Sequence, residues 1–247
     1  MQSYSEGDFF RFKEFKLANK YASFKINTDG VLLAAWSKAP DLNDTILDIG
    51  TGTGIIAVIK ALQEPTSRID AIDIDKQSCD EAVYNFEMND LQNKITCYNY
   101  SLAEFRPKTT YNYIISNPPF YNTAQLPQNK RMALAKHNTE LNIKQLWVDI
   151  ARLAASHCMV ALIYGANENQ EHINHAKSFG FKQSRVCEVS GKIGGKVIRY
   201  MAEFSKLEMN IPKVGSSISI RAEDGIGFTK EYKEICSPYY LWGNNQM

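Results

Sequence analysis

The stretch Thr45-Ile-Leu-Asp-Ile-Gly-Thr-Gly-Thr-Gly-Ile55 constrains the chain more than any other. A short apolar run rich in isoleucine stops at three alternating glycines, and a second apolar run begins at once. The first run, 45–49, reads as a buried strand, and Ile55–Leu62 reads as a helix. Glycine tolerates positive φ, so the backbone can turn from strand to helix without a spacer and pass close to a ligand. A strand, a glycine turn and a helix in direct succession form one unit of an open α/β sheet. Ligands of such sheets bind beyond the carboxyl ends of the strands.

The rest of the chain repeats this alternation. Arg68–Asp73, Lys94–Tyr98, Tyr111–Ser116 and Cys158–Tyr164 read as strands. Lys76–Asn89 (with Ala82, Val83 and Phe86 inward), Ile143–Ala155 and Asn167–Phe179 read as helices. Five strand–helix repeats predict a mostly parallel, doubly wound sheet. Phe181–Val189 and Lys196–Phe204, linked through Gly194-Gly195, add a strand pair with one antiparallel member, which makes seven strands. Upstream, residues 9–27 alternate around Asn19-Lys20 and predict a β-hairpin. Thr28 or Asp29 then caps a helix carrying Val31, Leu32, Ala35 and Trp36. The chain divides into 1–40 (hairpin and helix, part of the single domain), a core at 41–204, and an extension at 205–247 packed on that core. The extension holds strand-like Ser217–Arg221 and a short helix near Thr229–Ile235. Residues 121–140 are polar, irregular and too long for an ordinary connection.

Composition narrows the partners. At net charge +1 over 247 residues, no global field draws the chain to nucleic acid, so any such binding needs a local patch. The five cysteines (79, 97, 158, 187, 236) are dispersed and odd in number, which predicts reduced, buried thiols in a cytoplasmic protein. The polar start, Met1 to Asp8, does not have the form of a signal peptide. No apolar run approaches the ~20 residues of a membrane helix. His172 and His175 share a helical face but lack a further ligand, so no metal is expected, and His157 reads as structural or exposed.

Two turns carry the chemistry. Asp48 lies two residues before Gly50, and Gly52 and Gly54 follow. A carboxylate there suits a cofactor's amino group and repels a pyrophosphate, which argues against a nicotinamide dinucleotide. Asp73 ends the next strand, at the distance where an acidic side chain meets ribose hydroxyls. Asp70 and Asp75 compete for that role, and Asp75 also reads as the cap of helix 76–89. Ser101 and Leu102 border the adenine, and Lys25, Thr28 and Asp29 close over the opposite end; Asp29 reads equally as a helix cap. The second turn is Asn117-Pro-Pro-Phe120, after the fourth strand. An exocyclic amino group is a poor nucleophile because its lone pair is delocalised. The Asn117 side-chain oxygen and the Pro118 carbonyl can accept both of its hydrogens and aim that lone pair. Pro118 and Pro119 stiffen the turn, and Phe120 offers a face for a flat group. Catalysis would then be positioning and charge placement. Asn117 also borders the cofactor. Together the turns suit transfer of a methyl group from S-adenosylmethionine to a planar nitrogen.

Further stretches extend the likeness over nearly the whole chain. The Phe10-Arg-Phe-Lys-Glu-Phe hairpin, Lys25-Ile-Asn-Thr-Asp-Gly-Val-Leu-Leu, Arg131…Ala135-Lys-His137 and the tail Ile220-Arg-Ala-Glu-Asp-Gly…Tyr240-Leu resemble the bacterial tRNA1(Val) adenine-N6 methyltransferases, of the class I superfamily. The resemblance implies a class I, Rossmann-like fold and N6-methylation of adenine 37 beside the anticodon. It also implies cofactor contacts at Asp48, Gly50, Asp73 and Ser101, and acceptor contacts at Asn117, Pro118 and Phe120. Lys136 stands where an arginine is expected, and lysine lacks the planar fork. The implied partner is the tRNA anticodon stem-loop, its target base drawn out of the stack, and the implied state is a monomer. Phosphate contacts are expected from Lys130, Arg131, Lys136 and His137, from Lys192 and Lys196, and from hairpin residues Lys13, Lys16 and Lys20, all on one rim. Two enzymes of like chemistry remain open, a protein glutamine-N5 methyltransferase and a ribosomal RNA guanine-N2 methyltransferase. So does an RNA-binding protein without catalysis, which an intact Asp48 and Asn117 disfavour.

Overall fold

The computed structural model describes residues 3–38, 44–118, 143–206 and 214–242. The apolar runs form β3 (Thr45–Ile49), β4 (Arg68–Asp73), β5 (Ile95–Asn99), β6 (Tyr111–Ser116) and β7 (Ala154–Gly165). They are followed by β8 (Phe181–Lys192), β9 (Val197–Lys206) and β10 (Val214–Arg221). The helices are α1 (Thr28–Trp36), α2 (Ile55–Gln63), α3 (Lys76–Met88), α4 (Ile143–Leu153), α5 (Asn169–Ser178) and α6 (Lys230–Cys236). Strand order is β10-β8-β9-β7-β6-β3-β4-β5, and only β9 runs against its neighbours.

Alternate residues of each strand feed opposite faces. Ile46, Tyr113 and Ile115 pack with α1 and α2 residues such as Val31 and Ile59, while Leu47, Ile114 and Val160 pack with Trp147 and Ile150 of α4. The sheet is thus wound on both faces, as the alternation predicts. The chain leaves β3 for β4 and β5, then returns to β6 on the other side of β3. A reversal of this kind splays the flanking helices apart and opens a crevice at the strand ends. No helix among the described residues is long and apolar enough to cross a membrane. The cysteines are all free, and all but Cys97 are buried.

The structure corrects the reading at four places. The sheet has eight strands among the described residues. The eighth, β10, pairs in parallel with β8, a long-range register that its own short alternation does not encode. The hairpin is shorter than expected: β1 (Phe9–Arg11) pairs with β2 (Lys16–Ala18), and the chain reverses at Phe12–Phe15 rather than at Asn19-Lys20. The two phenylalanine rings at that reversal stack and Tyr240 stacks on Phe12, so both rings are buried while Lys13 and Glu14 between them stay exposed. Val83 is 39% exposed, because α3 turns a partly polar face inward instead.

That polar face explains the third and fourth differences. Asn85 Oδ1 accepts from the Ala18 N–H at 2.7 Å, and Glu81 accepts from the N–H groups of Lys20, Tyr21 and Ala22, each at 2.8 Å. Ser78 Oγ accepts from the Ser23 N–H at 3.1 Å. These side chains satisfy backbone N–H groups that a partner strand would otherwise take, so the segment after β2 is laced along α3 through bends at 20–24 without β pairing. It runs antiparallel to α3, with Lys16 beside Asn89 and Ser23 beside Ser78. Lys13 and Lys16 therefore lie toward the far end of α3, away from the carboxyl ends of the strands. Lys13 and Lys16 do not join a shared rim, and the Lys20 ammonium is engaged by Asp8 at 3.0 Å.

Candidate active site

The glycine turn is built from the strand ends outward. Gly50 and Thr51 donate to the Ile72 carbonyl at 2.9 and 3.0 Å, which continues the β3–β4 ladder past the last strand residue. Gly50, Gly52 and Gly54 all have positive φ (72°, 56° and 85°), the region that favours glycine. A side chain at Gly50 would meet nothing within 4 Å, so the turn faces open space there. At Gly54 a Cβ would lie 2.4 Å from Phe86 Cε1, in the buried seam between α2 and α3. Gly54→Ala is therefore expected to destabilise by about 3 kcal/mol, through strained φ plus overpacking. Thermal unfolding should show a fall in Tm on the order of 8 °C; an unchanged Tm would contradict this packing.

Asp48 is completely buried. Its Oδ2 accepts from Thr51 Oγ1 at 2.6 Å, and its Oδ1 has no hydrogen-bond partner among the described residues. Burial, reinforced by nearby Asp73 and opposed by the Thr51 bond, pushes its carboxyl from 3.8 up to about 7. Asp73, at the end of β4, accepts from Gly52 N at 2.9 Å and from Asp75 N at 2.8 Å. Burial raises it to about 6, against the pull of those two N–H groups. A fully buried carboxylate and a half-buried one beside an open turn make a site that gains from a cation and repels an anion. Asp75 caps α3 by accepting from Ser78 N, and Asp70 takes the Tyr111 hydroxyl, so neither competes with Asp73.

Asn117 follows the last residue of β6. Ile49 and Ser116 are register partners on adjacent parallel strands, and Ser116 Oγ donates to the Ile49 carbonyl at 2.8 Å. Gly50 and Asn117 are therefore neighbours on one rim, at the crevice where the strand order reverses. Asn117 is half-buried and Pro118 is buried. Asn117 Nδ2 donates to Asn27 Oδ1 at 3.3 Å, and that same oxygen accepts from Gly30 N at 2.9 Å. Asn27, not Thr28 or Asp29, is thus the N-cap of α1. Asn27, Thr28 and Asp29 are all capping types, so residue type does not choose among them. Asp29 instead pairs with Arg199 at 3.1 Å.

The remaining sequence-predicted residues divide. Leu102 is buried, and its carbonyl accepts from Arg152 Nη2 at 2.9 Å, which pins the turn after β5. Ser101 Oγ is turned to Glu104. Thr28 opens α1 and is half-buried, while the exposed Lys25 directs its ammonium to the Lys20 carbonyl. Phe24 O lies 3.4 Å from where a Gly52 Cβ would sit, so the segment laced to α3 reaches the glycine turn. Lys192, the last residue of β8, and Lys196, in the link to β9, are exposed; that link emerges on the same rim and is tied to β10 by Ile193 N to Arg221 O at 3.0 Å. Pro119, Phe120, Lys130, Arg131, Lys136 and His137 lie outside the described residues. His172 is buried against Tyr164, where burial lowers it to about 3, and takes no part in the rim.

Known proteins resemble the chain at several levels. Residues 16–150 match the methyltransferase small domain model. A tRNA1(Val) (adenine(37)-N6)-methyltransferase of Parabacteroides distasonis is 33% identical over 236 residues, covering 94% of this chain and 98% of that protein. One of the same name from Christiangramia forsetii is 30% identical over 238 residues, covering 94% and 97%. Among solved structures, a "predicted O-methyltransferase" from Agrobacterium tumefaciens superimposes with a TM-score of 0.63 at 16% identity, covering 89% of this chain and 100% of that one. A methyltransferase from Pyrococcus furiosus gives 0.55 at 16% identity, covering 77% and 89%. The structural likenesses share this fold.

Proposed function

The chain belongs to the methyltransferase small-domain family and, within it, to the bacterial tRNA1(Val) adenine-N6 methyltransferases, and from that membership we propose that it methylates N6 of adenine 37, beside the anticodon of tRNA1(Val), using S-adenosylmethionine. The observation that carries this reading is the Ile49–Ser116 register, because it sets the glycine turn beside the Asn117-Pro118 turn.

The residues fit the cofactor. The orphaned Asp48 Oδ1 can take the amino group of its methionine end, and Asp73 stands at the strand end where ribose hydroxyls are held. Open space at Gly50 lets backbone N–H groups approach it. S-adenosylmethionine, when bound, supplies a methyl group made electrophilic by a sulfonium. Asp48 and Asp73 favour that positive charge over any anionic cofactor. Ser101 and Leu102 border the adenine through their turn, and Lys25 and Thr28 stand at the opposite end.

The acceptor side is a matter of aim. The Asn117 side-chain oxygen and the Pro118 carbonyl accept the two hydrogens of the target amine, which points its lone pair into the crevice. Pro119 keeps the turn rigid, and Phe120 stacks on the adenine. Lys192 and Lys196 on the same rim meet phosphates, and Arg131 and His137 in the segment after Phe120 complete the RNA contacts. The protein acts as a monomer in the cytoplasm.

The test uses tRNA from a strain lacking this protein. Incubation with labelled S-adenosylmethionine and nuclease digestion should give N6-methyladenosine at position 37 of tRNA1(Val). Label in a protein glutamine, or in guanine N2 of ribosomal RNA, would overturn the substrate assignment.

A further inference from the structure

We propose that Asn27 is a positioning residue that sets the orientation of the Asn117 amide. The inference rests on the reading of Asn117 as an acceptor for the target amine, and it adds a requirement which that reading does not contain. An asparagine amide has two ends of nearly equal size, and only the oxygen can accept from an amine. Something must keep the amino end out of the reaction crevice.

The hydrogen-bond chain on this rim settles which end faces which way. The Gly30 backbone N–H can only donate, so the Asn27 atom at 2.9 Å from it is the oxygen. That oxygen can only accept, so the Asn117 atom at 3.3 Å from it is the nitrogen. The polarity of the α1 N-terminus is thereby passed through one side chain to the next. With Nδ2 held by Asn27, the Asn117 oxygen is the end left for the substrate. If the amide were free to rotate, half of its orientations would present N–H groups to the N–H groups of the target.

Asn27 therefore does two jobs with one oxygen, capping α1 and holding Asn117, and the test must separate them. Serine caps a helix about as well as asparagine, but its hydroxyl sits on Cβ and does not extend to Asn117. Aspartate keeps an oxygen at the same distance for both bonds and gives up only the 3.4 Å bond from Asn27 Nδ2 to the Lys25 carbonyl. Asn27→Ser is expected to keep Tm and the cofactor Kd near native while kcat on tRNA falls about fivefold, the value of one neutral hydrogen bond. Asn27→Asp is expected to recover most of that rate. In an Asn117→Ala background, Asn27→Ser should cost nothing further.

A native kcat in Asn27→Ser would overturn the inference. So would an Asn27→Asp variant as slow as the serine one, or a fivefold loss that persists without Asn117. If Asn27→Ser lowered Tm and kcat together and aspartate restored only Tm, the residue would be a cap alone, and the inference would fail. A native kcat in Asn117→Ala would instead remove the acceptor reading itself; a slow Asn117→Ala beside a native Asn27→Ser would remove only the role of Asn27.

Discussion

Asn117→Ala is expected to lower kcat by about 10²–10³-fold while changing the Kd for S-adenosylmethionine by no more than about threefold. The size follows from removing one preorganised partner at the reacting group. An amine whose lone pair is delocalised gains little from proximity unless both hydrogens are directed, and alanine leaves only the Pro118 carbonyl to direct them. The small effect on cofactor affinity follows from geometry. Among the described residues Asn117 donates to Asn27, whereas the glycine turn is held by Ile72 and Asp73. Single-turnover transfer to tRNA measures the first quantity and calorimetric titration the second. Loss of both in equal measure would place Asn117 in the cofactor site rather than the acceptor site.

Asp48→Asn should separate stability from function. In the unfolded chain Asp48 loses its proton near 3.8, and in the folded protein near 7. Between those values the folded state holds a proton that the unfolded state has released, so stability falls as pH rises through this window and is level above it. Asparagine removes the loss. At pH 8 the variant is expected to be more stable than the native protein by on the order of 4 kcal/mol, about 10 °C in Tm. At pH 4 the two should nearly coincide. Cofactor binding should move the other way. A positively charged ligand favours the ionised carboxylate, so native affinity should rise with pH up to about 7 and then level off. Asp48→Asn should weaken binding about 10- to 100-fold and remove that pH dependence. A variant less stable than native at pH 8 would show that the buried carboxylate carries no such cost.

The two variants test opposite sides of one crevice. Asp48 is costly to the empty protein and, on the proposed reading, gains its partner from the cofactor. On the same reading Asn117 costs little and acts only when a base arrives. The site thus stores its strain on the donor side, in a carboxylate oxygen with no hydrogen-bond partner among the described residues. The acceptor side relies on orientation, anchored through Asn27 to the start of α1.

Sequence alone determined the strand–turn–helix units and the positions of the glycine and Asn117-Pro118 turns. Strand periodicity, glycines at alternating positions and a strand ended by Asn117-Pro118 are local patterns, each written within a dozen neighbouring residues. What lay between distant residues was decided only in three dimensions. The lacing of 18–23 to Glu81, Asn85 and Ser78 has no periodicity, because side chains there replace a strand partner. The parallel addition of β10 to β8 and the choice of Asn27 over Thr28 as cap were likewise set by contacts that form once the sheet has assembled. A hydrogen bond between residues 90 positions apart leaves no trace in local sequence, since its geometry exists only after the intervening chain has been packed.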